Sequence, residues 1–335
     1  MRSRVLVAFV ALTLSVALPA TVGARSAQSA AKAEQARIIA YWTPARLAAA
    51  KAKDFVRNDA GKLVPYAKPG GGGSGGGAVK GASWTGHGII EQRSGKLFFS
   101  TSGGNWQCSA SVVNDGSTSN NYSIILTAGH CTYDGAEGWS FNVMYIPDYD
   151  SAPNACAQTT HGCWTATRLA INSDFYPGGF GSDASLRVDY GFMLMSPGGK
   201  SGTAELDAIT GGYGLKTSGA SLSDTQWAFG YPAAGKYRGK DLTYCKGSTV
   251  NDPYGVGTWG MACNMTGGSS GGPWLYGTSD PGTDGSKLLS SVNSYGYQGL
   301  TYMFGPRFNG ETTTVFGDAV DGSSTNGVSV IRNVP

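Results

Sequence analysis

Thr266-Gly267-Gly268-Ser269-Ser270-Gly271-Gly272-Pro273-Trp274 sets two adjacent serines inside a run of four glycines, closed by a proline and an aromatic residue. A serine hydroxyl is a weak nucleophile at neutral pH. To act as one it needs a neighbouring base, and donors for the oxyanion that its attack creates. Flanking glycines let the backbone turn sharply and bring N–H groups close to a substrate with no Cβ in the way. A flexible Gly/Ser surface turn is the plain alternative in a chain with 52 glycines. The catalytic reading therefore requires a histidine and a carboxylate elsewhere.

Ile124-Ile125-Leu126-Thr127-Ala128-Gly129-His130-Cys131 supplies the histidine, and Leu186-Arg187-Val188-Asp189-Tyr190-Gly191-Phe192-Met193-Leu194-Met195 the carboxylate. Together the three stretches resemble the trypsin/chymotrypsin family of serine peptidases, nearest to its secreted bacterial branch with the glutamyl endopeptidases. The His130 segment is similar to that family's Thr-Ala-Ala-His-Cys motif, and Ser270 lies in a variant of its Gly-Asp-Ser-Gly-Gly-Pro motif. The resemblance spans residues 81–335.

It implies an all-β fold of two Greek-key β-barrels, with the active site in the cleft between them and a barrel boundary near residue 195. It implies that Ser270 attacks the peptide carbonyl, that His130 takes its proton, and that Asp189 orients and balances His130. The N–H groups of Gly268 and Ser270 are the implied oxyanion hole. The order His–Asp–Ser discriminates among alternatives. Gly268-Ser269-Ser270-Gly271-Gly272 also satisfies the Gly-x-Ser-x-Gly elbow of α/β-hydrolases, but that fold needs a histidine after the serine. His87, His130 and His161 all precede Ser270. A subtilisin-like order needs an Asp motif ahead of the histidine, and none is present. Asp174 and Asp183 compete with Asp189 but sit among loop-forming residues. His161 is expected at the surface, and His87 has no motif.

By the same resemblance, Asn264 lies at the base of the primary specificity pocket. Ser294-Tyr295-Gly296 forms the strip that pairs with the substrate backbone, and Asn293 stands where glutamyl endopeptidases carry a histidine. Asn264 offers no charge to a cation, so cleavage after Lys or Arg is not expected, and Asn293 removes the basis for Glu specificity. Ser269 replaces the family's Asp, which pairs with a new N-terminal ammonium on activation; such an ion pair is not expected here. Mature activity should accordingly tolerate several starts between Gly77 and Gly86.

Six cysteines allow 15 connectivities. Proximity suggests Cys108–Cys131, Cys156–Cys163 and Cys245–Cys263, and the first matches the family's bridge beside the histidine. Zinc at His130-Cys131 or His161-Gly162-Cys163 is the alternative, but neither spacing matches a structural zinc site. No metal and no cofactor is expected.

Around these motifs the composition fits a loop-rich β protein, with only 14% charged residues. Arg2 and Arg4, the apolar Val5–Leu18 and Val22-Gly23-Ala24 read as a secretory signal peptide over residues 1–24. Its apolar core is shorter than a bilayer span. Residues 25–80 then read as a pro-segment ending in the linker Pro69–Gly77, with Thr43-Pro44 marking a helix start. This segment carries ten Lys/Arg against three acids, a net +7, whereas residues 81–335 carry thirteen against nineteen, a net −6. The expected partners are a protein or peptide substrate and the chain's own pro-segment, docked by charge attraction. Nucleic acid and membrane are not expected, and the protein is expected to be an extracellular monomer.

Short strands punctuated by Asn114-Asp115-Gly116 and Pro177-Gly178-Gly179 are predicted over 96–101, 108–113, 122–127, 188–195, 225–230, 242–246, 259–263 and 288–295, with Trp139, Phe141, Val143 and Tyr145 alternating in another. Two other classes compete: a non-catalytic relative that binds protein, which would be expected to lose a triad residue, and a β-rich carbohydrate-binding or cell-wall-binding module, which leaves the His130 and Ser270 motifs unexplained.

Overall fold

A computed structural model describes residues 20–53, 55–58, 60–65, 78–149 and 155–334. The expected signal-peptide core Val5–Leu18 and the expected linker Pro69–Gly77 lie outside them.

Six strands close on themselves in the first half: Gly104–Val113, Ser94–Thr101, Phe141–Pro147, Trp164–Asn172, Gly191–Met195 and Ser123–Thr127, which returns to Gly104–Val113. Alternate side chains (Leu97, Phe99, Cys108, Ala110, Val112, Val143, Tyr145, Met193, Met195) fill one buried cluster, as a period-2 pattern requires. The opposite parity is buried too, so the strands read as continuous apolar runs. Ile38, Trp42, Leu47 and Ala50 of residues 25–80, hereafter the leader as against the body from 81 on, and Val315 of the helix Gly310–Asp321 join that second cluster.

The second half consists of two six-stranded sheets. One runs Gly214–Leu215, Leu288–Val292, Pro273–Tyr276, Thr225–Gly230, Thr243–Ser248, Val79–Ser83. The other runs Val250–Asn251, Trp259–Ala262, Tyr302–Gly305, Tyr295–Tyr297, Phe55–Arg57, Leu63–Pro65. Cys245–Cys263 ties the two sheets together, and Cys108–Cys131 and Cys156–Cys163 are the other bridges. The strands at either end of the 78–334 region cross between the halves: Val79–Ser83 pairs with Thr243–Ser248, and Ser329–Asn333 pairs with Trp164–Asn172.

Two expected strands are shorter or broken, for reasons that concern the site. The 188–195 run is a strand only over Gly191–Met195; ahead of it Asp183–Arg187 is a helical turn, and Asp189 lies between the two. The 288–295 run splits into Leu288–Val292 and Tyr295–Tyr297 in different sheets, with Asn293 and Ser294 at the break. In the leader, Thr43 does cap a helix: its Oγ1 accepts from the Arg46 N–H at 3.3 Å, with Pro44 in the first turn.

Lys96 is an anomaly of this packing. It is 4% exposed, and its ammonium donates to the Gly239 carbonyl at 2.9 Å and lies over Phe98 and Tyr149. Burial pushes its pKa down to about 7 from 10.5. The unfolded chain therefore binds one more proton than the folded one between those values, so this group's contribution to stability rises with pH there. Lys96→Met should stabilise the protein by about 1–2 kcal/mol near pH 6, and the gain should shrink as pH approaches 10. Thermal melts of both proteins across pH 6–10 check this.

Candidate active site

His130 sits in the one-turn helix Gly129–Thr132 immediately after the strand Ser123–Thr127, anchored by the Cys108–Cys131 bridge. Asp189 reaches it from the segment before Gly191–Met195. One carboxylate oxygen accepts the His130 backbone N–H at 2.8 Å, and the other faces His130 Nδ1 at 2.8 Å. Ser294 Oγ donates to that second oxygen. Asp189 and Ser294 are fully buried, and His130 is 1% exposed. A desolvated carboxylate is costly unless donors surround it, and here they come from two elements in opposite halves of the fold. Asp174 and Asp183 do not enter this arrangement; Asp183 instead pairs with Arg57 at 2.7 Å.

Ser270 is buried beside this pair, its carbonyl oxygen 4.0 Å from Cys131 Sγ. Gly271 explains the need for glycine after it. With φ +79°, a Cβ there would come within 2.1 Å of Thr127 Oγ1 and 2.4 Å of the Ser109 carbonyl, so the loop lies directly on the strand that leads to His130. Ser109 N–H donates to the Ser270 carbonyl at 2.7 Å, and Ser109 Oγ to that of Gly268 at 2.8 Å. Gly268 also has positive φ, at +96°. Ser269 is fully buried, and its Oγ has no hydrogen-bond partner. An ammonium brought to it would find no counter-charge on this side chain.

The residues assigned to the pocket separate into different roles. The Asn293 amide is taken up by the framework: Oδ1 accepts from Trp274 Nε1 at 2.8 Å, and Nδ2 donates to the carbonyls of Phe229 at 2.7 Å and Ser269 at 3.0 Å. Its backbone exchanges bonds with Gly271 and Gly272. Both amide hydrogens are thus consumed by buried carbonyls, one of them in the 268–272 loop. Asn264 accepts from the Tyr237 hydroxyl and lies against Gly81. Tyr295 and Tyr297 turn to the opposite face, where both hydroxyls donate to Asp252 at 2.7 and 2.8 Å; burial raises both phenols well above their ordinary value, and the Asp252 charge adds to it. Gly296 is left facing the other way, with Val56 Cγ1 within 3.5 Å of where its Cβ would be.

Val56 belongs to the leader, and the leader runs through the cleft. Lys51–Ala52 pairs parallel with Trp106–Gln107, Lys53 N–H donates to the Gln107 carbonyl at 3.2 Å, and Phe55–Arg57 pairs parallel with Tyr295–Tyr297. Between them the Lys53 carbonyl lies 3.2 Å from His130 Nε2. Phe55 and Phe180 cover the imidazole, with ring centroids 5.8 and 4.8 Å from it. A carbonyl can only accept, so with Asp189 accepting at Nδ1 the Lys53 contact is a hydrogen bond only when both ring nitrogens carry hydrogen.

Charge holds this segment. Lys53, 2% exposed, sets its ammonium 2.9 Å from Asp134 and 2.5 Å from Glu137, and 4.3 Å from the centre of the Trp106 ring. Sequence reasoning missed Lys53, Asp134, Glu137 and Asn293's framework role; only the opposed net charges of leader and body pointed towards the first three. His161, expected at the surface, is half-buried, 3.8 Å from Asp148. The sulfurs of Cys108 and Cys131 beside His130 are bonded to each other and are not thiolate ligands.

No family model and no curated protein matches the sequence. Solved structures do. The protease Anisep from Arthrobacter nicotinovorans is 32% identical, with a TM-score of 0.59 over 72% of this chain and 99% of its own. The thermostable serine protease AL20 from an extremophilic microorganism is 35% identical, with a TM-score of 0.57 over 71% of this chain and 100% of its own. A Glu endopeptidase, 18% identical with a TM-score of 0.52 over 72% of this chain and 96% of its own, shares the fold.

Asn293→Ala strips donors from two buried carbonyls and the acceptor from Trp274. It should lower stability by about 3 kcal/mol and weaken any activity that depends on the 268–272 loop. Denaturant unfolding and Ser270 labelling of the variant measure the two effects.

Proposed function

The chain belongs to the chymotrypsin-like bacterial serine peptidases and is a serine endopeptidase, and from that premise we propose that it cleaves peptide bonds with Ser270 as nucleophile, His130 as general base and Asp189 as the group that orients His130. The observation that carries this is Asp189's double hold on His130, backbone and Nδ1 both at 2.8 Å. With Nδ1–H fixed on the carboxylate, a neutral imidazole has its lone pair on Nε2, where it can receive the Ser270 proton. Ser270 Oγ then bonds to the carbonyl carbon, and the N–H groups of Gly268 and Ser270 take the oxyanion. His130 returns the proton to the leaving amine, an acyl-enzyme forms, and water releases it by the reverse sequence.

The chain is made as a precursor, exported by the signal over residues 1–24 and held inactive by residues 51–57. Three disulfides suit an oxidising compartment. The inhibitory segment lies in reverse. A substrate sets its acyl half, the residues before the scissile bond, on the strip that begins at Ser294. In this chain the C-terminal part of the segment, Phe55–Arg57, lies there, and its N-terminal part lies on Trp106–Gln107. The Lys53 carbonyl meets Nε2, the site of the base rather than of the oxyanion donors. With Asn264 neutral at the base of the pocket, substrates with uncharged side chains before the scissile bond are favoured over Lys or Arg.

Ser270→Ala should abolish fluorophosphonate labelling and cut peptide hydrolysis by about a thousandfold or more, with folding intact. Retained hydrolysis would move the nucleophile elsewhere, Ser269 first. In the full chain, Lys53→Glu sets a third carboxylate against Asp134 and Glu137. It should speed labelling of Ser270 about tenfold or more; an unchanged rate would show that residues 51–57 do not restrain the site.

A further inference from the structure

Beside His130 the body carries a cation-binding cavity that Lys53 occupies without filling. Its volume is about 450 Å³, and it lies between Ala52, Lys53 and Phe55 of the leader and Trp106, Asp134, Glu137 and Phe180 of the body. The body's wall is held by its own hydrogen bonds. Asp134 Oδ1 accepts the N–H groups of Ala136 and Glu137 at 2.9 and 3.0 Å, leaving Oδ2 for the ammonium. Glu137 accepts from Thr101 Oγ1 at 2.6 Å, and that oxygen in turn accepts Trp106 Nε1 at 2.8 Å. Two carboxylates and an aromatic face are thus fixed in place independently of their occupant, a combination suited to a guanidinium or ammonium. Burial raises the Asp134 carboxyl, but the Lys53 hydrogen bond and the backbone amides outweigh it and hold it below its ordinary value.

The position of the cavity says what it reads. The strip after Ser294 borders the pocket for the residue whose carbonyl is attacked, so a substrate's acyl half lies there. The chain on the far side of His130, along Trp106–Gln107 and the Cys108–Cys131 bridge, is then the leaving half, and Lys53 reaches the cavity from that side. Resting on the peptidase reading above, we propose that Asp134, Glu137 and Trp106 form a leaving-group subsite that selects Lys or Arg within the first two residues after the scissile bond. Lys53 holds the precursor segment by imitating that residue on a chain that runs the opposite way.

The test expresses the full-length chain and uses the protein recovered from the culture medium after processing has removed residues 51–57 from the cleft, which intact-mass measurement verifies. This protein is given peptides with one constant, uncharged acyl half and with Lys, Arg, norleucine or Glu at the first or second leaving position; products are read by mass spectrometry. Lys and Arg peptides should show kcat/KM at least tenfold above norleucine, with Glu lowest. Asp134→Asn/Glu137→Gln should bring the ratio within twofold while the norleucine peptide is still cleaved. Glu137→Gln alone, which can keep its bond to Thr101, should lower the ratio at least threefold, so the proposal stays open to refutation if the double variant does not fold. A ratio near one in the unaltered protein, or a preference that survives these substitutions, overturns the subsite and leaves the peptidase reading standing. Absence of hydrolysis in every series together with no labelling of Ser270 overturns both.

Discussion

The Asp189 carboxylate is fully buried, and the site is arranged around supplying it with donors. The backbone and ring of His130 and the hydroxyl of Ser294 do so. Because those donors come from opposite halves of the fold, satisfying one anion also sets the two halves in register across the cleft. Removing any one donor would leave a partly uncompensated charge in the interior, which is far more costly than losing an exposed contact. The strand breaks follow from the same requirement: the chain leaves the sheet at Asp189 and again at Asn293-Ser294, where side chains are needed for the site rather than for the ladder.

The leader meets the body in two ways. Ile38, Trp42 and Leu47 bury apolar surface on the outside of the first barrel, and the Trp42 indole donates to the Asn142 carbonyl at 2.7 Å. Lys53 and Arg57 then pair with body acids. The apolar contact covers the barrel, and the ion pairs hold the peptide group that lies over His130. Parallel pairing with Tyr295–Tyr297 and with Trp106–Gln107 carries the segment across both halves in one sense.

Much of this was legible in the sequence, because motifs that depend on local geometry carry their own signal. The His130 and Ser270 stretches, the Thr43-Pro44 helix start and the short alternating strands each follow from a few neighbouring residues. The Asn309 and Gly322 caps of the helix Gly310–Asp321 are a signal of the same kind that went unread. Asn293 is expected at the pocket but spends its side chain on Trp274, Phe229 and Ser269, since the direction in which a side chain points at a strand break depends on partners far away in sequence. Nothing distinguishes Lys53 from the other leader lysines until Asp134 and Glu137 are brought opposite it. The pairing across the halves of the strands at either end of the 78–334 region is likewise long-range and has no local mark.

If the leader silences the site by placing an acceptor on each nitrogen of His130, the imidazole of the intact chain must carry two protons at neutral pH. Nitrogen-15 NMR of the ring in the full-length protein, compared with the same protein after residues 51–57 have left the cleft, measures this directly. The account predicts protonated Nδ1 and Nε2 at pH 7 in the intact chain, and an unprotonated Nε2 once the segment is gone. An unprotonated Nε2 in the intact chain would contradict it.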